Sequence, residues 1–220
     1  MNLFLTGTDT NVGKTYVAAR LIRALRREGI DAVGFKPLCC GGREDAELLH
    51  AASDGALNLN DVNPVWLRAP AAPYAAAMIE VRAIDLALIR ETFARLRAAH
   101  SSVIVEGVGG WLAPIERDYF VRDLAREFAL PVAVVFANRL GALNHTLLTV
   151  RAVQAQGLTC AGVIINETVP PSLGNSLVTS GNRLILETLL DAPVLGELPF
   201  GARTVQWWRQ PLSDRPQSKL

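Results

Sequence analysis

The sequence predicts an α/β fold: a mostly parallel sheet flanked by helices on both faces, of the P-loop NTPase-like kind. Three observations carry this. Short apolar runs of β type alternate with longer helical patterns along the chain. Two of the runs, Val103-Ile104-Val105 and Val132-Ala133-Val134-Val135, are apolar at every position, which suits strands covered on both sides. Between the first run and the first helical pattern stands Gly7-Thr8-Asp9-Thr10-Asn11-Val12-Gly13-Lys14-Thr15, the strand–loop–helix setting that a phosphate-binding loop requires.

Strands are predicted at 2–6, 31–35, 102–105, 131–136, 160–165 and 193–198. Helices are predicted at 14–29, 43–53, 83–99, 120–128, 142–157 and 177–190. Gly29 and Gly157 fall where glycine closes helix C-termini. Alternation of this kind builds right-handed βαβ units, whose ligands sit at the carboxyl ends of the strands. Pro64, Pro70 and Pro73 mark an irregular stretch, and Pro170-Pro171-Ser172 marks another. With no internal repeat, low-complexity tract or linker, residues 1–220 read as one domain. Residues 203–220 have weak periodicity and end polar, which suits a loosely ordered tail or one laid across the surface. Trp207-Trp208 would anchor that tail on the core.

Half of the residues are hydrophobic and a fifth are charged, so the chain is globular. The charges nearly cancel, at +1, and point to no nucleic-acid partner. Cys39, Cys40 and Cys160 form no CxxC pair, which argues against a disulfide framework or a zinc site and fits a reducing cytoplasm. His50, His100 and His145 have no metal-ligand spacing. The chain opens directly on Leu3-Phe4-Leu5 with no basic leader, and no apolar run approaches a membrane span. The expectation is a soluble cytoplasmic protein without a membrane partner.

In the phosphate loop, backbone N–H groups must point inward at phosphate oxygens, and glycine lets the backbone come close. Lys14 would place a cation on the β- and γ-phosphates, and Thr15 would offer its hydroxyl to Mg²⁺. Strict GxxxxGK[ST] spacing puts Thr8 at the first position, with Gly7 one residue earlier, while Gly13-Lys14-Thr15 is intact.

Thr6-Gly7-Thr8-Asp9-Thr10 followed by Val12-Gly13-Lys14-Thr15 resembles the phosphate loop of dethiobiotin synthetases. Phe35-Lys36-Pro37, the run Val105 to Trp111, and Leu140-Gly141-Ala142-Leu143-Asn144-His145 agree with that family in order and spacing. So do Val62-Asn63-Pro64 and Gly196-Glu197-Leu198-Pro199. The resemblance extends from residue 1 to about residue 200 and implies an ATP-dependent cyclo-ligase of biotin biosynthesis. Such an enzyme acts on 7,8-diaminopelargonic acid, CO2 and ATP. An amine forms a carbamate, the γ-phosphate activates it as a carbamic-phosphoric anhydride, and the second amine closes the ring, giving dethiobiotin, ADP and phosphate.

The resemblance also implies site residues. Lys36, Lys14 and Thr10 are its catalytic candidates. Asp9, Asn11, Val12, Gly13, Lys14, Thr15, Asn166 and Pro199 are its ATP-binding candidates, with Asn166 reading the adenine edge. Thr15, Asp45 and Glu106 are its Mg²⁺ ligands. A carboxylate ending an apolar strand, as Glu106 does, is costly unless it meets a cation. Asp45 near a helix start also suits a plain dipole partner. Lys36, Cys40, Gly141, Leu143 and Asn144 are the substrate candidates. The turn Gly141-Ala142-Leu143-Asn144 opens a helix and is a ready anion site. In the family this segment comes from a neighbouring subunit, which implies a homodimer with a shared active site; a plain N-cap role is the alternative.

Two positions depart from the family pattern. Asn11 stands where many members carry Glu, and Cys40 stands where Ser is usual. Cys39-Cys40 read as buried, inert thiols. Partition and site-selection ATPases, a rival class, carry an extra lysine near the start of the loop, where this chain has Thr8, Asp9 and Thr10.

Overall fold

Successive strand residues point to opposite faces of a sheet, so a strand that is apolar throughout needs cover on both sides. That demand organises the structure, a computed structural model describing residues 1–170 and 179–207. Pro171-Ser172, residues 177–178 of the last predicted helix, and the tail from Trp208 onward lie outside the described residues.

The chain runs β1 (Leu3–Gly7), α1 (Lys14–Arg27), β2 (Ala32–Phe35), β3 (Leu38–Cys40), α2 (Glu44–Ala52), α3 (Leu59–Val62), β4 (Val65–Leu67), α4 (Pro73–Ile79) and α5 (Leu86–Ala99). It continues with β5 (Ser102–Glu106), β6 (Pro114–Glu116), β7 (Tyr119–Phe120), α6 (Val121–Phe128), β8 (Val132–Ala137), α7 (Ala142–Ala155), β9 (Cys160–Asn166), α8 (Asn182–Leu189), β10 (Val194–Leu198) and β11 (Gln206–Trp207). All six predicted strands are present within a residue or two of their predicted bounds. Together with β11 they form a seven-stranded sheet in the order β11-β10-β9-β8-β1-β5-β2, parallel except for β10 against β11.

Alternate residues feed two cores. Phe4, Val103, Val105, Val134 and Phe136 pack on one side with residues of α5, α6 and α7, where Phe93 and Phe128 stack at 3.9 Å between ring centroids. Leu3, Leu5, Ile104, Ala133 and Val135 pack on the other side with α1 and α2. Fully burying each large apolar side chain contributes roughly 1.5–3 kcal/mol, which is why the strands read as unbroken apolar runs.

The differences from the predicted elements have local causes. The helix expected at 83–99 starts at Leu86, because the Asp85 carboxylate accepts from the Leu88 N–H at 2.8 Å and caps it. The proline-marked stretch holds β4 and then α4, which begins on Pro73, where a missing N–H costs nothing. Strands β3 and β4 pair in parallel as a small second sheet. The start of the expected tail joins the main sheet, with Gln206 and Trp207 pairing to Glu197 and Gly196, and Trp207 packs against the core.

Strand order decides where chemistry can occur. β5 inserts between β1 and β2, and the chain then crosses to the other side of β1 to place β8. The carboxyl end of β1 is therefore the reversal point, where a parallel sheet opens a crevice.

Candidate active site

The phosphate loop joins β1 to α1 at that crevice. Gly13 has φ +87°, and a Cβ there would stand 1.9 Å from the Asn166 amide nitrogen, so only glycine fits. Asn11 also lies in the left-handed region, at φ +60°. Asparagine enters this region more readily than most residues with a side chain. The Lys14 ammonium donates to the Asp9 carbonyl at 2.9 Å. Burial, and then the neighbouring Lys36 charge, push its pKa down to about 8.

The register of β2 on β5 pairs Phe35 with Val105, so Lys36 and Glu106, the next residues, emerge side by side. The Lys36 ammonium donates to Glu106 Oε1 at 2.5 Å and to Asp45 Oδ2 at 2.9 Å. Burial lowers the Lys36 pKa, but the charges of Glu106 and Asp45 outweigh it, so the net shift is upward and the ammonium stays protonated. Burial pushes the Glu106 carboxyl up, against the pull of Lys36. The Asp45 carboxyl is pushed up by its partial burial, yet the Lys36 charge and its hydrogen bonds hold it below its ordinary value. Lys36 is 3% exposed, whereas the Asp45 side chain, at 52%, opens onto solvent.

Thr15 Oγ1 lies 2.7 Å from Asp45 Oδ1 and 2.8 Å from Glu106 Oε1. A hydroxyl has one proton to give, so it serves one carboxylate at a time, and the Lys36 ammonium supplies the other donors to both. Glu106 Oε2 is buried and has no hydrogen-bond partner. One hydroxyl and two carboxylates, with a buried carboxylate oxygen left without a partner, fit a hard divalent cation that takes oxygen ligands. The three residues expected to hold Mg²⁺ are thus brought together, from positions 15, 45 and 106.

These groups line a cleft of about 1120 Å³. Thr8, Asp9, Thr10, Asn11 and Gly13 form one wall, and Lys36, Cys39 and Cys40 form another. Cys39 is buried as expected, but Cys40 is half-buried and opens on the cleft. Burial raises both thiols, Cys39 to about 12 and Cys40 to about 11, so neither is a ready nucleophile. Asp9 Oδ1 accepts from the Thr10 N–H at 2.7 Å, and Arg139 stands 3.9 Å from Asp9 at the mouth of the loop. Val12 is buried beneath the loop.

Asn166 ends β9, and its amide nitrogen donates to the Val12 carbonyl at 2.8 Å. Here it braces the phosphate loop from below. Leu198 pairs with Asn166, so Pro199 follows at the same end of the sheet. Both residues stand outside the cleft lining, across the loop from Lys36.

Gly141, Leu143 and Asn144 do not line the cleft either. Gly141 opens α7 at φ +86°, Leu143 packs partly buried on the core, and Asn144 is exposed. The later residues His145, Leu148, Thr149 and Ala152 face the cleft, because residues three and four apart share one side of a helix. Sequence reading missed Leu148 and Thr149 and the Pro70–Pro73 rim, whose only signal was a cluster of prolines.

Comparison with known proteins follows the same line. Residues 1–206 match the family described as AAA domain. The chain is 46% identical over 200 residues to an ATP-dependent dethiobiotin synthetase BioD of Akkermansia muciniphila, covering 91% of this chain and 92% of that protein. It is 46% identical over 207 residues to the protein of the same description from Aromatoleum aromaticum, covering 90% of each.

Among solved structures, chloroplast FtsY of Physcomitrella patens aligns at a TM-score of 0.57 and 16% identity, over 94% of this chain and 61% of that one. The MinC:MinD complex of Aquifex aeolicus aligns at 0.55 and 14%, over 90% of this chain and 81% of that one. These likenesses show a shared P-loop fold and nothing about substrate. With near-complete alignment at 46% identity to such relatives, the chain belongs to the dethiobiotin synthetase family.

Proposed function

We propose that the protein closes the ureido ring of dethiobiotin from 7,8-diaminopelargonic acid, CO2 and ATP, releasing ADP and phosphate. The observation that carries this reading is the convergence of Lys14, Lys36, Asp45 and Glu106 beside the phosphate loop, in a cleft with room for a small molecule. A nucleotide binder without chemistry has no need of a second, fully buried lysine held protonated by two carboxylates.

A carbamate formed on one substrate amine is an anion, and Lys36 offers it a cation that is already desolvated and oriented. The carbamate oxygen attacks the γ-phosphorus and ADP leaves. The second amine then attacks the carbamoyl carbon, phosphate leaves with the C–O bond pair, and that amine loses a proton. Lys14 and the loop N–H groups hold the phosphates in line, and positioning with electrostatic clamping is the main requirement of phosphoryl transfer. Thr15, Asp45 and Glu106 would hold Mg²⁺. When bound, that ion neutralises charge developing on the phosphate oxygens.

Asn166 and Pro199 are the proposed neighbours of the base. The exposure of Gly141 and Asn144 in this turn, with Leu140 beside it at 84% exposure, supports a homodimer in which this turn meets the substrate carboxylate of the other subunit's site. The free cysteines suit a cytoplasmic setting. Among the described residues, no helix is long and apolar enough to cross a membrane.

The deciding experiment is phosphate release from ATP with and without 7,8-diaminopelargonic acid and bicarbonate. Release that requires both supports the reading. ATP hydrolysis indifferent to the diamine overturns it.

A further inference from the structure

Lys36 and Asp45 are separated by a segment that leaves the main sheet, forms β3, turns at Gly41 (φ +82°) and re-enters helix at α2. Their 2.9 Å contact therefore depends on how both ends of that segment are held. Both ends are held by one side chain. The Asn63 amide nitrogen donates to the Lys36 carbonyl at 2.9 Å and to the Val65 carbonyl at 2.9 Å. Its Oδ1 accepts from Arg43 Nε at 3.1 Å. Arg43 is the N-cap residue of α2, two positions before Asp45.

The surroundings leave Asn63 little freedom. It is 1% exposed, and its backbone, at φ −136° and ψ 87°, lies outside the helical region that a following proline disfavours. The Lys36 N–H donates to the Val62 carbonyl at 2.7 Å, so the residue before Asn63 also bonds to Lys36. Arg43 donates in addition to the Asn63 carbonyl at 3.0 Å. Its guanidinium lies 5.2 Å from the centre of the Trp66 ring, and Trp66 Nε1 latches the Gly41 carbonyl at 2.7 Å. The amide needs both its donors and its acceptor here, a combination that a carboxylate or a hydrocarbon of similar size lacks.

We infer that Asn63, with Arg43, is a positioning residue that sets the Lys36–Asp45 geometry and hence the phosphate-and-metal end of the cleft. This rests on the functional reading above. Asn63 touches none of the reacting groups itself; it acts through the Lys36 main chain and the start of α2.

The test uses the full chain, Asn63→Asp and Arg43→Met. Asn63→Asp keeps the shape and the Arg43 contact but loses both donors. Arg43→Met keeps an apolar stem on Trp66 and loses the bonds to Asn63. Assays are run well below the melting temperature of each variant. For Asn63→Asp, kcat should fall by about tenfold or more, since small displacements of a clamping group cost about that much. The gain in ADP affinity on adding Mg²⁺ should shrink by about tenfold, as for other groups that orient metal ligands. ADP affinity without Mg²⁺ should stay as in the wild type, because the phosphate loop is untouched. Arg43→Met should show the same pattern, more weakly.

Variants that melt at lower temperature yet keep wild-type kcat and Mg²⁺-dependent ADP binding would overturn the inference, as would failure of both to fold. A wild-type protein inactive on the diamine would sink the functional reading instead, and the ADP measurement would still decide the role of Asn63.

Discussion

The cluster of Thr15, Lys36, Asp45 and Glu106 and the turn from Gly141 to Asn144 were both read from sequence as parts of one active site, and the fold treats them oppositely. The first lies at the strand ends, its atoms 2.5–2.9 Å apart, with Lys36 and Glu106 buried. The second is a helix start whose polar side chain, Asn144, is exposed and outside the cleft of its own chain. A site built from mutually neutralising charges has to be finished within the fold, because an unpaired buried charge costs several kcal/mol. A solvated turn carries no such penalty and can wait for a ligand or a neighbouring subunit. Substitutions in the first region should therefore disturb chemistry and stability together, and those in the second should disturb one substrate alone.

The largest effect is expected at Lys14. Lys14→Ala removes the loop's cation and should cut turnover by about 10²-fold or more. Among the described residues the only hydrogen bond lost is the one to the Asp9 carbonyl, so melting temperature should hardly change. Near-normal phosphate release would remove the loop from catalysis.

The two carboxylates sharpen it further. Glu106→Gln leaves buried Lys36 with one anionic partner, while Asp45→Asn alters a half-exposed group. Urea denaturation should show a loss of roughly 3 kcal/mol for Glu106→Gln, near the cost of breaking a buried pair, and under about 1 kcal/mol for Asp45→Asn. Both should raise the Mg²⁺ concentration needed for half-maximal rate. Equal stability losses would mean that burial does not distinguish the two.

Asn144→Ala tests the exposed region. It should raise KM for 7,8-diaminopelargonic acid by about fivefold or more, the worth of one good hydrogen bond, with KM for ATP unchanged and stability intact. Light scattering should give twice the chain mass. An active monomer, or a loss that falls wholly on ATP, would dissolve the contrast between a finished site and a shared one.

The smallest effect concerns Asn11. At φ +60°, replacement by Glu should cost about 1 kcal/mol, the usual penalty for a side chain in the left-handed region, and replacement by Gly should cost less. Equal melting temperatures for the three proteins would show that the loop's conformation does not explain the departure from the family pattern.

Much of this molecule was legible in the sequence because it is written in short-range patterns. Strand periodicity located the six main strands, since a strand covered on both faces has to be apolar throughout. The phosphate loop is contiguous, so Gly7 to Thr15 declared itself through its spacing and its place between a strand and a helix. Family resemblance picked out Lys36, Asp45 and Glu106 as separate candidates. Sequence alone had no means of showing that a single hydroxyl would stand between two carboxylates.

Strand order supplied what the sequence lacked. Inserting β5 between β1 and β2 brings residues 15, 36, 45 and 106 into hydrogen-bonding range, and that choice rests on how whole strands and helices pack, a long-range property that no local window contains. The same reason hides β3, β4 and the Asn63 tie, whose strands are three residues long and hold together through partners about 27 positions apart. It also hides which turns of α7 face the cleft, because that depends on where the helix lands on the sheet and not on which of its residues are polar.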